Sequence, residues 1–309
     1  MNDPGKPMNN KAIQAEYPPA STYKILTALA ALEEKVIDGN SSVFCSGFYK
    51  FGNRRYHCWN RNCHGEMNVV DAIAQSCDVF FYQAGEKIGV DSLAQYANGS
   101  GLGRSTGIKL AHERQGLIPT SAWKKNRFNE AWQAGETLSI SIGQGFNLVT
   151  PLQMAAFIAA VGNGGTLYRP RIVTSIVDSD GNVVKSIQPE ITGGLPASKG
   201  NLALVQKGLL EVVQGDRGTA RRIRIKGIDI AGKTGTAQVF SRKAGEKFDN
   251  EAVERTLRDH AWFVCYAPAE APKIAIAVII EHGEHGSSAA APVAGALIEK
   301  YLLTDTIKP

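Results

Sequence analysis

The stretch that most constrains this chain is Ala20-Ser21-Thr22-Tyr23-Lys24, set between Tyr17-Pro18-Pro19 and an apolar run over residues 25–32. Proline cannot continue a helix from upstream but is well suited to its start. From Ser21 onward Ile25, Leu26, Leu29 and Leu32 recur at helical spacing. That pattern predicts a helix to about Val36, stopped by the turn residues Asp38-Gly39-Asn40. Ser21 then sits at a helix N-terminus, where free N–H groups and the helix dipole favour negative charge. Lys24 follows one turn later, on the face that carries the Ser21 hydroxyl. A serine attacks poorly until a base takes its proton, and a partly desolvated lysine can be that base. Taken alone, S-x-x-K reads equally well as a capping serine beside a solvated lysine.

Two further stretches change the balance. Ser76-Cys77-Asp78 stands 55 residues after Ser21, and Lys233-Thr234-Gly235-Thr236 stands 157 residues after Ser76. S-x-x-K, S-D-N and K-T-G together mark serine β-lactamases and penicillin-binding proteins. The whole chain resembles the transpeptidase domain of class B penicillin-binding proteins, in the branch that serves cell elongation. Gly143-Gln144-Gly145, Val149-Thr150-Pro151-Leu152-Gln153-Met154-Ala155 and His260-Ala261-Trp262-Phe263-Val264 support the likeness, as does Asn9-Asn10-Lys11-Ala12-Ile13-Gln14. The middle motif carries Asp78 where Asn is commoner, a departure that this branch tolerates.

The resemblance implies acyl transfer on peptidoglycan stem peptides, blocked by β-lactam antibiotics. Ser21 would form the acyl-enzyme, Lys24 would be the base, and Ser76 would relay a proton to the leaving amine. Asp78 would hold Lys24 or the substrate backbone, and Lys233 would be a second cation. A lysine buried beside another cation favours its neutral, proton-accepting form. Thr234, Gly235 and Thr236 would bind substrate, with the Ser21 and Thr236 N–H groups facing the oxyanion. Gly235 would keep the strand clear for the peptide. The resemblance also places the protein at the periplasmic face of the bacterial inner membrane. There it would work with a membrane glycan polymerase, through an anchor and pedestal lying outside residues 1–309. A serine β-lactamase is the runner-up, but Glu136 is followed by Thr137-Leu138-Ser139, unlike the hydrolytic loop of class A enzymes. A non-enzymatic β-lactam sensor shares the motifs, yet such domains follow several membrane spans and resemble another lactamase class.

Four of the five cysteines, Cys45, Cys58, Cys63 and Cys77, cluster with His57 and His64. Two disulfides are one reading for an extracytoplasmic domain. Thiolates with an interleaved histidine also suit zinc. Some members of the elongation branch resemble this chain in carrying zinc beside the middle motif, held by acidic residues, a His-Gly histidine and the motif's cysteine. His64-Gly65 and Cys77 match that set, and Cys45 and Cys58 would replace the acids. Cys63 adjoins His64, and neighbours seldom both reach one tetrahedral ion. Cys265 lies in an apolar strand pattern and reads as core.

The 309 residues, 43% of them hydrophobic, suffice for one large core or two modest ones. A net charge of +5 is mild, and the one basic run, Arg221-Arg222-Ile223-Arg224, lacks interleaved aromatics. This argues against nucleic-acid binding. No stretch reaches the roughly 18 apolar residues of a membrane span, and the first residues are polar, as expected of an excised domain. Helical patterns lead and strand patterns follow, which argues for a mixed α and β domain, α+β in class. Helices are expected over 67–74, 152–161, 202–213 and 290–303, with a hairpin over 171–187 and strands over 228–239, 260–266 and 274–282. The last strand reads as buried on both faces. The resemblance implies a five-stranded antiparallel sheet between helices, beside an all-helical lobe, as in serine β-lactamases. Residues 41–66 show no clean periodicity, and 240–259 read as a lid or a hairpin tip.

Overall fold

The computed structural model describes residues 8–239 and 257–303. A short helix, α1 (Lys11–Gln14), precedes a 3-10 turn at Ala20–Tyr23 that runs directly into α2 (Lys24–Glu33). The helix expected from Ser21 therefore begins as a tighter turn and stops three residues short of Val36. Residues 41–66 are not structureless. They form β1 (Val43–Cys45), β2 (Phe48–Phe51), β3 (Arg54–His57) and β4 (Gly65–Met67), with β1 paired to β4 and β2 to β3. Strands of three or four residues are too short to show alternation. Helices α3 (Val69–Ala74), α4 (Asp78–Ile88), α5 (Val90–Gly99), α6 (Ser121–Phe128) and α7 (Ala134–Ser141) follow. The helical lobe thus carries two small sheets as well as helices.

Helix α8 (Pro151–Gly162) starts as its sequence predicts. The Thr150 hydroxyl accepts the Gln153 N–H at 3.2 Å, and the Gln153 side chain accepts the Thr150 N–H at 2.9 Å. This capping box sits before a proline at the first turn. After β5 (Thr166–Tyr168) comes the hairpin of β6 (Ser175–Val177) and β7 (Val183–Ser186), then β8 (Ile191–Gly194), which pairs with β5. The hairpin is exposed along both strands, and Ile176, Val177, Val183 and Val184 each keep half or more of their surface in water.

Helix α9 (Lys199–Gln214) leads to the main sheet of β9 (Ala231–Ala237), β10 (His260–Ala267) and β11 (Ile274–Ile280), closed by α10 (Ala291–Leu303). The spatial order is β11-β10-β9, all antiparallel. Among the described residues this sheet has three strands, not five. Nor is β11 buried on both faces: it is an edge strand in which Ile276 and Val278 are buried and the rest only partly so. The region read as a lid or a hairpin tip, 240–259, lies mostly outside the described residues. Helices α8 and α10 pack on β10 and β11, and α9 packs along β9. One continuous core joins α2, α4, α8 and α9 to the sheet and contains Cys265.

Helix α9 also lies on α3, the helix that ends just before Ser76. Gly208 permits that approach, because a Cβ there would sit 2.8 Å from Ile73 Cβ and 2.9–3.0 Å from its outer methyls. Ile73 is fully buried and β-branched, so it cannot swing away. Gly208→Ala would gain about 1 kcal/mol of helix propensity and lose about 1–3 kcal/mol to overpacking. We expect a net loss of stability by chemical denaturation. A variant as stable as the parent would show that the helices part without cost.

Candidate active site

From Pro19 to Leu32 every residue is buried except Ser21. The apolar face of α2 accounts for most of this, and the 3-10 turn lifts Ser21 toward solvent. Ala20 holds a left-handed backbone, φ 50°, with its N–H bonded to Gly143 O at 2.8 Å. Gly143 must be glycine, since a Cβ there would lie 2.2 Å from Ala20 O. Such a backbone costs about 1–3 kcal/mol and persists where its surroundings determine it. The Thr22 N–H bonds to Pro19 O at 3.3 Å, which leaves the Ser21 N–H outside these bonds.

Lys24 is fully buried, with three bonds from its Nζ: Asp78 Oδ1 at 2.6 Å, Ser76 O at 2.9 Å and Ser76 Oγ at 3.2 Å. These match the three donors of an ammonium. Of the two roles expected for Asp78, holding Lys24 is the one the geometry displays. Ser76 occupies the tight turn between α3 and α4, again left-handed at φ 56°. The other Asp78 oxygen accepts the Trp59 N–H at 2.7 Å. Desolvation pushes the Asp78 carboxyl up, opposed by the Lys24 charge.

The third motif lies on β9. Lys233 is fully buried, with its Nζ donating to Thr234 O at 3.1 Å. Burial, then the Lys24 charge, hold it well below the ordinary lysine range, with Asp78 opposing. Thr234 Oγ1 lies 2.9 Å from Thr219 Oγ1. Gly235 faces the Ser21 turn: a Cβ there would lie 3.2 Å from Thr22 Cγ2 and 3.3 Å from Pro19 O. Its small size is required by the fold itself. The three motifs therefore meet across one cleft, with β9 forming an edge beside the Ser21 turn.

Behind Ser76, the sulfurs of Cys45, Cys58 and Cys77 and a His64 ring nitrogen all lie within 4.8 Å of one another. His64 Nδ1 is 3.5 Å from Cys45 Sγ and 3.4 Å from Cys58 Sγ. Cys58 Sγ also accepts the Asp78 N–H at 3.3 Å, and a Cys77 hydrogen bond favours its thiolate. Cys63 is exposed and stands apart, and all five cysteines are unbridged.

A family profile described as "Penicillin binding protein transpeptidase domain" matches residues 1–299. The chain belongs to the penicillin-binding protein transpeptidase family. It is 36% identical over 305 residues to the peptidoglycan D,D-transpeptidase MrdA of Haemophilus influenzae, covering 98% of this chain and 47% of the relative. Pseudomonas aeruginosa PBP2 in complex with WCK 5153 superposes with a TM-score of 0.84 at 35% identity, over 98% of this chain and 63% of that one. PBP2 of Helicobacter pylori, in complex with MreC, gives a TM-score of 0.85 at 32% identity, over 98% and 52%. The chain spans about half the length of the curated relatives it matches.

Within this penicillin-binding fold, three positions had no role assigned from sequence. Trp59 bonds Asp78 through its backbone and Gln75 O through its indole at 3.0 Å. Thr219 supports Thr234, and Gln144 reaches β9. Only Gln144 carried any signal, being flanked by two glycines. For Lys233 the sign of the pH effect is fixed by the direction of its shift. Between its lowered folded pKa and the ordinary lysine value, the unfolded chain binds more protons, so stability rises with pH across that window. Lys233→Met should therefore stabilise the domain more at pH 6.5 than at pH 9, measured by denaturation of both proteins. A gain independent of pH would contradict the perturbed ionisation.

Proposed function

We propose that this chain is the transpeptidase domain of a peptidoglycan D,D-transpeptidase that cross-links stem peptides through a Ser21 acyl-enzyme and is acylated by β-lactams. The observation that carries this reading is the Lys24 amine, buried between Ser76 Oγ and Asp78 one turn after Ser21. Ser21 Oγ attacks the carbonyl of the penultimate D-Ala as its proton passes to Lys24. The peptide C–N bond then breaks, and the departing D-Ala amine takes a proton through Ser76. An amine of a second stem attacks the ester, forms the cross-link and returns Ser21 to its hydroxyl form. The substrate's terminal carboxylate, bound by Lys233, Thr234 and Thr236, favours charge on Lys233. Charge there disfavours charge on Lys24 and so frees it as base. The N–H groups of Ser21 and Thr236 face the developing oxyanion.

The cysteine cluster fits a structural zinc. Tetrahedral bonds of about 2.3 Å to sulfur and 2.0–2.1 Å to nitrogen set S···N separations near 3.5 Å, as observed around His64 Nδ1. Cys45, Cys58, His64 and Cys77 would hold the ion in a closed set. It would fix the backbone that presents Ser76 and Asp78, and it takes no step in the reaction. The domain uses no organic cofactor.

In the full protein, residues 1–309 would be joined to a membrane anchor and pedestal at the periplasmic face of the inner membrane. A membrane glycan polymerase would be its working partner. Similarity to a solved peptidoglycan synthase complex that coordinates polymerization and crosslinking supports an assembly of this kind.

Labelled penicillin should attach to the wild-type domain and not to Ser21→Ala, and intact mass should show the adduct lasting many minutes. Attachment elsewhere, or none, would overturn the assignment, and rapid turnover of hydrolysed drug would make the protein a lactamase. Protein kept from chelators should contain one zinc per chain by elemental analysis, and stripping it should slow acylation. Binding worth about 10 kcal/mol is enough to order such a loop. No zinc together with two disulfides by thiol titration would refute the metal site.

A further inference from the structure

Strand β9 pairs only with β10 among the described residues, so its other edge faces the cleft. In an antiparallel ladder alternate residues turn both N–H and C=O toward the partner strand, and the residues between turn both outward. Two side-chain bonds identify the outward set on β9. Thr234 O accepts from Lys233 Nζ at 3.1 Å, and Thr236 O accepts from Gln144 Nε2 at 3.1 Å. Thr236 therefore presents its N–H and its C=O together at the open edge. An extended peptide lying along β9 would take both, its carbonyl against the N–H and its own N–H against the C=O. Of these two groups the C=O is already occupied, by the Gln144 amide.

Gln144 crosses the cleft to reach it. Its backbone is fixed on the helical side, with its N–H on Ser139 O at 3.0 Å and Gly143 O accepting from Ala20. The flanking glycines, Gly143 and Gly145, hold φ of 73° and 71°, a loop shape that most side chains would strain. Both Gln144 and Thr236 are half-exposed, so the bond forms at the mouth of the cleft, open to displacement.

The geometry points to Gln144 as a displaceable latch, whose amide occupies the Thr236 carbonyl that a stem-peptide N–H must take. This rests on the transpeptidase reading of the cleft. Ligands that carry an N–H at that point exchange one hydrogen bond for another and open the latch. Ligands without one leave Gln144 in place and gain nothing from its removal. The latch thus taxes ligands that carry a backbone amide two bonds beyond the reacting carbonyl, and its cost falls on binding, not on the chemical step. Gln144 acts as a positioning residue, since it transfers no proton and forms no bond to the reacting atoms.

The test measures acylation of the domain by penicillin G, which carries a side-chain amide N–H, and by a carbapenem with a hydroxyethyl group in its place. Wild type is compared with Gln144→Ala and with the isosteric Gln144→Glu, which removes the donor and sets a carboxylate against the carbonyl. For penicillin G, both variants should lower the half-saturating concentration roughly three- to tenfold, the worth of one net hydrogen bond. The limiting acylation rate should stay unchanged, and the carbapenem constants should not move. Unchanged or raised half-saturation for penicillin G, or an equal gain for both drugs, would overturn the latch while leaving Ser21 acylation intact. No adduct on the wild type would overturn the latch and the functional reading together.

Discussion

A lysine amine with its whole side chain buried is the condition the rest of the structure meets. Lys24 is placed inside by the same apolar stripe that makes α2 a core helix, so its charge cannot be left unpaired. Breaking such a pair typically costs about 3–5 kcal/mol. Asp78 compensates the charge, and Asp78 is itself brought there by the start of α4 and by the Trp59 N–H. Ser76 is then obliged to adopt a left-handed turn so that both its oxygens reach the amine. The middle motif's shape is thus a consequence of solvating one cation.

The two halves of the molecule are tied across the same point. The Ser21 turn is gripped from the helical side by Gly143 and from the sheet side by Trp262, whose indole bonds Pro18 O at 3.0 Å. Gly235 lets β9 close against Thr22. The Ser21 turn, Lys24 and the β9 edge are consequently set by backbone contacts and burial, which few rotamer changes could disturb. This is the kind of support that holds reacting groups in place between turnovers.

Much of this was legible beforehand. S-x-x-K before an apolar helix pattern announces a lysine that folding will desolvate, and an acidic residue in the next motif supplies its partner. Cys45, Cys58, His64 and Cys77 do gather without Cys63, the grouping expected because adjacent residues rarely share an ion. Other features left little mark. The Gln144 bond links a side chain to a carbonyl 92 positions away, and Trp59 acts through its backbone, where residue type says little. The number of sheet strands came from family likeness alone, because the periodicity gave just the three strands that form. The two-faced burial read for β11 failed since an apolar run does not reveal whether a strand ends at an edge.

The β6–β7 hairpin stands apart from all this order. Its tip is closed by its own bonds, with Asp178 Oδ1 accepting the N–H groups of Asp180 and Asn182 at 3.0 and 2.8 Å, and its strands draw little from the core. Local stability of this kind is independent of the cleft. Residues 178–182 therefore form a natural port for grafting: an epitope or fluorophore-bearing peptide spliced there would ride on the domain without touching the cleft.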